Sequence, residues 1–110
     1  MDTAELHTET RMSPLERLIK LYESGQASEF LDHVVFKALA KEAADTQVAI
    51  NRLDVDIANY EAQYEMSSND FIRRFKAGEL GDGMDFIEWW SLLMMRDDLI
   101  ERLQALTGVE

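Results

Sequence analysis

The chain has 110 residues, 46% of them hydrophobic and 9% aromatic, which is enough for one modest core and too few for two comfortable domains. Its 22 acids against 11 bases give a formal net charge of -11. This argues against a nucleic-acid ligand, because a polyanion is held by neutralising its phosphates with Lys and Arg. With no cysteine there is no disulfide framework, thiol nucleophile or thiolate metal site, as suits a reducing cytoplasm. The acidity is spread, with -4 in residues 1–33, -3 in 34–66 and -4 in 67–110.

The opening residues 1–12 are polar and lack periodicity, so they read as a flexible arm. They do not read as a signal peptide, which needs a basic start followed by an apolar stretch. Ser13 is then a good N-cap, Pro14 suits the first helical position, and Glu16 completes a capping box. Leu15, Leu18, Ile19 and Tyr22 supply an apolar stripe before Gly25, which predicts a first helix over about 14–24. From Ser28, a second N-cap, no Gly or Pro occurs until position 78. Within that window Phe36, Leu39, Ala43, Thr46, Ile50, Leu53, Ile57, Tyr60 and Tyr64 recur at alternating spacings of 3 and 4, a heptad seam. A helix over 28–65 is about 57 Å long at ~1.5 Å per residue, so it must find a partner along its length.

Ser67 with Asp70 looks like another capping box. It opens a short amphipathic helix with Phe71, Ile72 and Phe75 on one face and Arg73, Arg74 and Lys76 on the other, ended by Gly78. A last helix over about 84–106 is expected to be capped by Asp82, with Asp85 three residues on, and to bury Phe86, Trp89, Leu92 or Leu93, Leu99, Leu103 and Leu106. No segment alternates like a strand. The most apolar stretch, Met84 to Met95, is broken by Asp85, Glu88 and Ser91 and falls short of the ~20 residues of a membrane helix.

Candidate chemistry is sparse. His7 falls in the arm and His33 near the start of the long helix, and the Glu29/His33 pair is far short of a metal site. Glu-x-x-His motifs for a di-iron bundle are missing, as is a phosphate-cradling glycine loop. No catalytic residue, cofactor or metal is therefore expected, and the chain is read as a non-enzyme. Glu79, Asp82, Asp85 and Glu88 put four acids in ten residues with no base among them, at a spacing that does not match a calcium loop. They serve either as caps at the positive end of the last helix or as an acidic patch facing a partner. The basic group Arg73, Arg74 and Lys76 reads as a solvated helix face. Tyr60, Tyr64, Phe71, Phe75, Phe86, Trp89 and Trp90 converge if the chain turns back after Met66. Neighbouring Trp89 and Trp90 point about 100° apart, so one lies near a surface. Trp90 and Met94 suit a contact between chains as well as they suit burial.

The sequence Tyr64-Glu65-Met66-Ser67-Ser68, followed by Phe71, Phe75, Gly78-Glu79-Leu80 and Asp85-Phe86-x-Glu88-Trp89, resembles a widespread family of small prokaryotic helical proteins. The resemblance covers about residues 36–106. In that family the long helix ends in a Tyr-Gly-Met-Ser-like turn, and Glu65 departs from its glycine. Some relatives look like antitoxin partners of nuclease-like toxins, which implies that this chain binds and neutralises such a toxin. The family carries no catalytic residue over to this chain.

The expected fold is all-α. A flexible arm (1–12) precedes one helical domain (13–107) and a tail (108–110), with a long coiled-coil-type helix, short flanking helices, an antiparallel hairpin and a homodimer formed along the seam. The expected function is that of an acidic protein-interaction module, antitoxin-like, with Glu79, Asp82, Asp85, Glu88, Trp90 and Met94 meeting a small basic protein. The alternative is a self-assembling homodimeric scaffold. Both place the protein in the cytoplasm, away from membranes and nucleic acid.

Overall fold

Ser13 opens the first helix as its spacing predicts. In the computed structural model, which describes residues 11–109, the Glu16 N–H donates to Ser13 Oγ at 3.2 Å, and Pro14 begins α1, Pro14–Glu23. Ser28 caps α2, Glu29–Tyr64, by accepting from the Leu31 N–H at 3.0 Å. Ser67 caps α3, Ser68–Lys76, by accepting from the Asp70 N–H, and α4 spans Met84–Thr107. Every element among the described residues is a helix, so the protein is all-α. No described helix is long and apolar enough to cross a membrane. The expected arm over residues 1–12 falls, for its first ten positions, outside the described residues, as does Glu110 of the tail.

The start of α4 corrects one expectation. Its N-cap is Gly83, without a side-chain cap, and Asp82 is exposed one residue before it. A capping carboxylate must sit at the N-cap itself to reach the free N–H groups of the first turn, and the chain enters the helix one residue too late for Asp82.

Packing divides the chain into two compact units, Met1–Lys37 and Ala38–Glu110. In the first, α1 and the opening of α2 form a helix pair. Leu18, Leu21, Leu31 and Val35 are half-buried, and the Tyr22 hydroxyl donates to Asp32 Oδ1 at 3.1 Å. No described side chain of this unit is buried.

The second unit holds the core. Leu53 and Ile57 of α2, Phe71 of α3, and Trp89, Leu92 and Leu93 of α4 form one buried cluster. Tyr60, Tyr64, Phe75, Phe86 and Trp90 pack around it. Both Leu92 and Leu93 are buried, so α4 turns a broader face inward than a single-leucine choice provides. Phe71 and Trp89 have no exposed surface and stack with centroids 4.0 Å apart at 5°. At ~25 cal/mol per Å2, rings of this size contribute about 4–6 kcal/mol each through burial.

Pairings between α2 and α4 fix their sense. Glu42 meets Arg102 at 2.8 Å, Asp54 meets Arg96, Tyr60 meets Glu88, and Tyr64 meets Asp85. Positions rise on one helix as they fall on the other, so within this unit the two run antiparallel. Of the nine seam positions, Thr46, Ile50, Leu53 and Ile57 are buried and Ala43, Tyr60 and Tyr64 half-buried, while Leu39 and Phe36 are exposed. These pairings reach back along α2 to Glu42 and no further, so α4 covers the seam from Ala43 onward.

The turn between α2 and α3 places Glu65 at φ 49, in the left-handed region, with the Met66 N–H donating to the Glu61 carbonyl at 3.1 Å. This is a helix-ending motif that glycine fills without strain. The corresponding position after α3 is indeed a glycine, Gly78, at φ 74.

Candidate functional site

The acids named from the sequence fall into two groups. Asp85 and Glu88 sit one turn apart at the start of α4, facing the last turns of α2. The Tyr60 hydroxyl donates to Glu88 Oε2 at 2.7 Å, and the Tyr64 hydroxyl and the Gln63 amide donate to Asp85 Oδ2. Glu79 and Asp82, in the loop before α4, are exposed, and neither side chain has a hydrogen bond or ion pair among the described residues.

In these contacts Asp85 and Glu88 meet neutral hydroxyl and amide donors and no base. Their effect on the tyrosines is direct. Accepting a bond from the neutral phenol disfavours its ionisation. The Tyr60 phenol is pushed up to about 12, first by the hydrogen bond to Glu88, then by burial and by the charges of Glu88 and Asp85. The Tyr64 phenol is raised in the same way, chiefly by its bond to Asp85. Asp56, Asn59, Tyr60, Gln63, Asp85 and Glu88 line one open depression with no Lys or Arg in its wall. It is a negative, hydrogen-bonding concavity built on two rigid helices.

Sequence reasoning missed this coupling. The sequence pattern marks Tyr60 and Tyr64 only as seam and core, although a tyrosine at the end of an apolar seam carries a polar tip that must find a partner. Asp56, Asn59 and Gln63, on the outer rows of α2, carried no signal that distinguished them from other solvated helix positions.

Trp90 and Met94 lie elsewhere on α4. Trp90 is half-buried against Phe75, centroids 5.2 Å apart, with the Lys76 ammonium 5.7 Å from its ring. Met94 is 36% exposed, at the rim. On the opposite side of α2 from the acidic depression, Glu61 accepts from the Ser68 N–H at 2.8 Å, and the Trp89 indole N–H donates to Ser68 Oγ at 3.1 Å. These bonds hold α3 against the base of the α2–α4 pair. Arg73 pairs with Asp70 at 3.3 Å, on the solvated face of α3.

Comparison of the chain with family models, with curated proteins and with solved structures finds no match. The geometry therefore carries the functional reading.

Proposed function

We propose that the protein is an acidic helical interaction module whose negative face, on the second unit, receives a basic protein. The observation that carries this reading is the depression around Asp85 and Glu88, whose wall has no base and whose carboxylates are held by neutral donors. The exposed loop acids Glu79 and Asp82 extend the same sign of charge toward solvent. Charge of this kind speeds encounter with a basic surface, while apolar contacts, for which Met94 and the Trp90 edge are available, supply affinity. The resemblance to antitoxin-like proteins gives the partner a class, a small nuclease-like toxin neutralised by being covered. A cytoplasmic setting goes with this reading, as does the lack of any catalytic role.

The test is capture of tagged protein from its native lysate, followed by measurement of association with the captured species at low and high salt. A stoichiometric small basic protein that survives a high-salt wash is expected. A Glu79→Lys/Asp82→Lys variant, altered at two exposed positions without partners among the described residues, is expected to bind it more slowly at low salt and at nearly the same rate at high salt. Equal rates at low salt remove the acidic face from the mechanism.

A second reading, self-association into a homodimeric scaffold, is favoured by the exposure of Phe36 (67%) and Leu39 (44%), apolar seam residues of α2. A solution mass of one chain at all concentrations would dispose of it.

A further inference from the structure

The first unit exposes Leu15, Ile19, Tyr22, Phe30, Val34 and Phe36 and buries no described side chain. Leu15 (65% exposed), Ile19 (47%) and Tyr22 (40%) follow one another at spacings of four and three, so they share one face of α1. Phe36 (67% exposed) lies one turn beyond Asp32 on the same row of α2. Because the Tyr22 hydroxyl bonds to Asp32, the α1 face and the Asp32–Phe36 row turn to the same side of the helix pair. The four side chains present on the order of 400 Å2 of surface, taking large side chains at about 150–250 Å2 each. A standard interface buries about 800 Å2 per partner, a little over half of it apolar, so this patch matches the apolar share of one side.

Charge decides what fits there. Residues 11–37 carry Arg11, Arg17, Lys20 and Lys37 against Glu16, Glu23, Glu29 and Asp32, and are neutral overall. With Asp2, Glu5 and Glu9 ahead of them, the first 37 residues carry -3, whereas residues 38–110 hold fifteen acids and seven bases, a net -8. A basic partner is drawn more strongly to the second unit than to the neutral helix pair. Two copies meeting through the second unit would bring -8 against -8, while two meeting through the neutral helix pair avoid that repulsion.

We propose that the face formed by Leu15, Ile19, Tyr22 and Phe36 binds the same face of a second copy of this chain, an isologous dimer contact. The proposal rests on the self-associating reading and deepens it. It keeps Phe36 in the interface and leaves the seam from Ala43 onward to α4.

Sedimentation equilibrium over about 1–100 µM, the range in which an interface of this size is read, tests it. Wild type is expected at twice the chain mass of 12.7 kDa. The Ile19→Glu/Phe36→Glu variant, altered only at exposed positions, is expected to stay helical and to dissociate at least ~10-fold more readily. Val55→Glu, at a 61%-exposed position of the second unit, is expected to dimerise like wild type. Should the charged variant lose helicity, the cysteine-free background offers another route. Ile19→Cys or Phe36→Cys is expected to give a covalent dimer with a short bis-maleimide, and Val55→Cys is not. A dimeric wild type unaffected at positions 19 and 36, or without the cross-link there, overturns this face while leaving self-association standing. A monomeric wild type overturns both.

Discussion

Single residues carry much of the stability of the second unit, and three of them show how. Trp89 is fully buried, stacked on Phe71 and hydrogen-bonded to Ser68, so Trp89→Ala removes a ring, a stacking partner and a bond together. We expect it to cost about 3–5 kcal/mol, read as a lower midpoint in denaturant unfolding. Tyr60 sets a pH dependence. Its phenol ionises near 12 in the folded chain against an ordinary 10.0, so the bond to Glu88 contributes fully below pH 10. That contribution is lost as pH rises from 10 to about 12, because the unfolded chain releases the proton first. Tyr60→Phe is expected to flatten the fall in stability over that window, and an unchanged fall would separate the bond from the shift. Glu65 holds a left-handed conformation that costs a side chain about 1–2 kcal/mol. Glu65→Gly, which places there a residue that takes this conformation without strain, is expected to raise stability by about 0.5–1 kcal/mol once the extra freedom of the unfolded chain is subtracted.

Elements were more legible in the sequence than their contacts. Ser13, Ser28 and Ser67 announced three helix starts because capping is local chemistry that the sequence spells out within four residues. The start of α4 at Met84 is legible too, but its cap is Gly83 and not Asp82, because both residues suit an N-cap and only the path of the chain chooses between them. The heptad pattern of α2 was readable as a pattern, yet the pattern runs through Phe36 and Leu39, where α4 no longer reaches, without any change of spacing. The pairing of Tyr60 with Glu88 spans 28 positions, a separation for which periodicity carries no information. The same element-scale logic gives a contrast between two α2 positions. Ile50 is 3% exposed and Val55 is 61% exposed. Ile50→Asp is expected to cost several kcal/mol by burying a carboxylate without a partner, while Val55→Asp is expected to stay within about 0.5 kcal/mol of wild type. Similar melting temperatures for the two would mean that the α2–α4 packing is not what holds the unit together. The ion pairs flanking that packing, Arg96 to Asp54 and Arg102 to Glu42, are between 36% and 55% exposed and add at most about 1 kcal/mol each.

At the scale of the whole molecule, the buried core and the uncovered apolar face fall in different units. The second unit has the core and a net -8, and the first has a net -3 and an uncovered apolar face. Composition does not mark this division, since the acids are spread over both units, and it is the packing that divides the chain at Lys37. On the proposals made above the two surfaces have different tasks, one meeting a basic partner and the other a second copy. The most direct test of the central claim, that the second unit acts by binding a basic protein through its acidic face, is native mass spectrometry of the tagged chain captured from its own cells after a high-salt wash. We expect an assembly heavier than the 12.7 kDa chain that contains a stoichiometric basic protein. Recovery of this chain alone, whether as one copy or two, would contradict that claim.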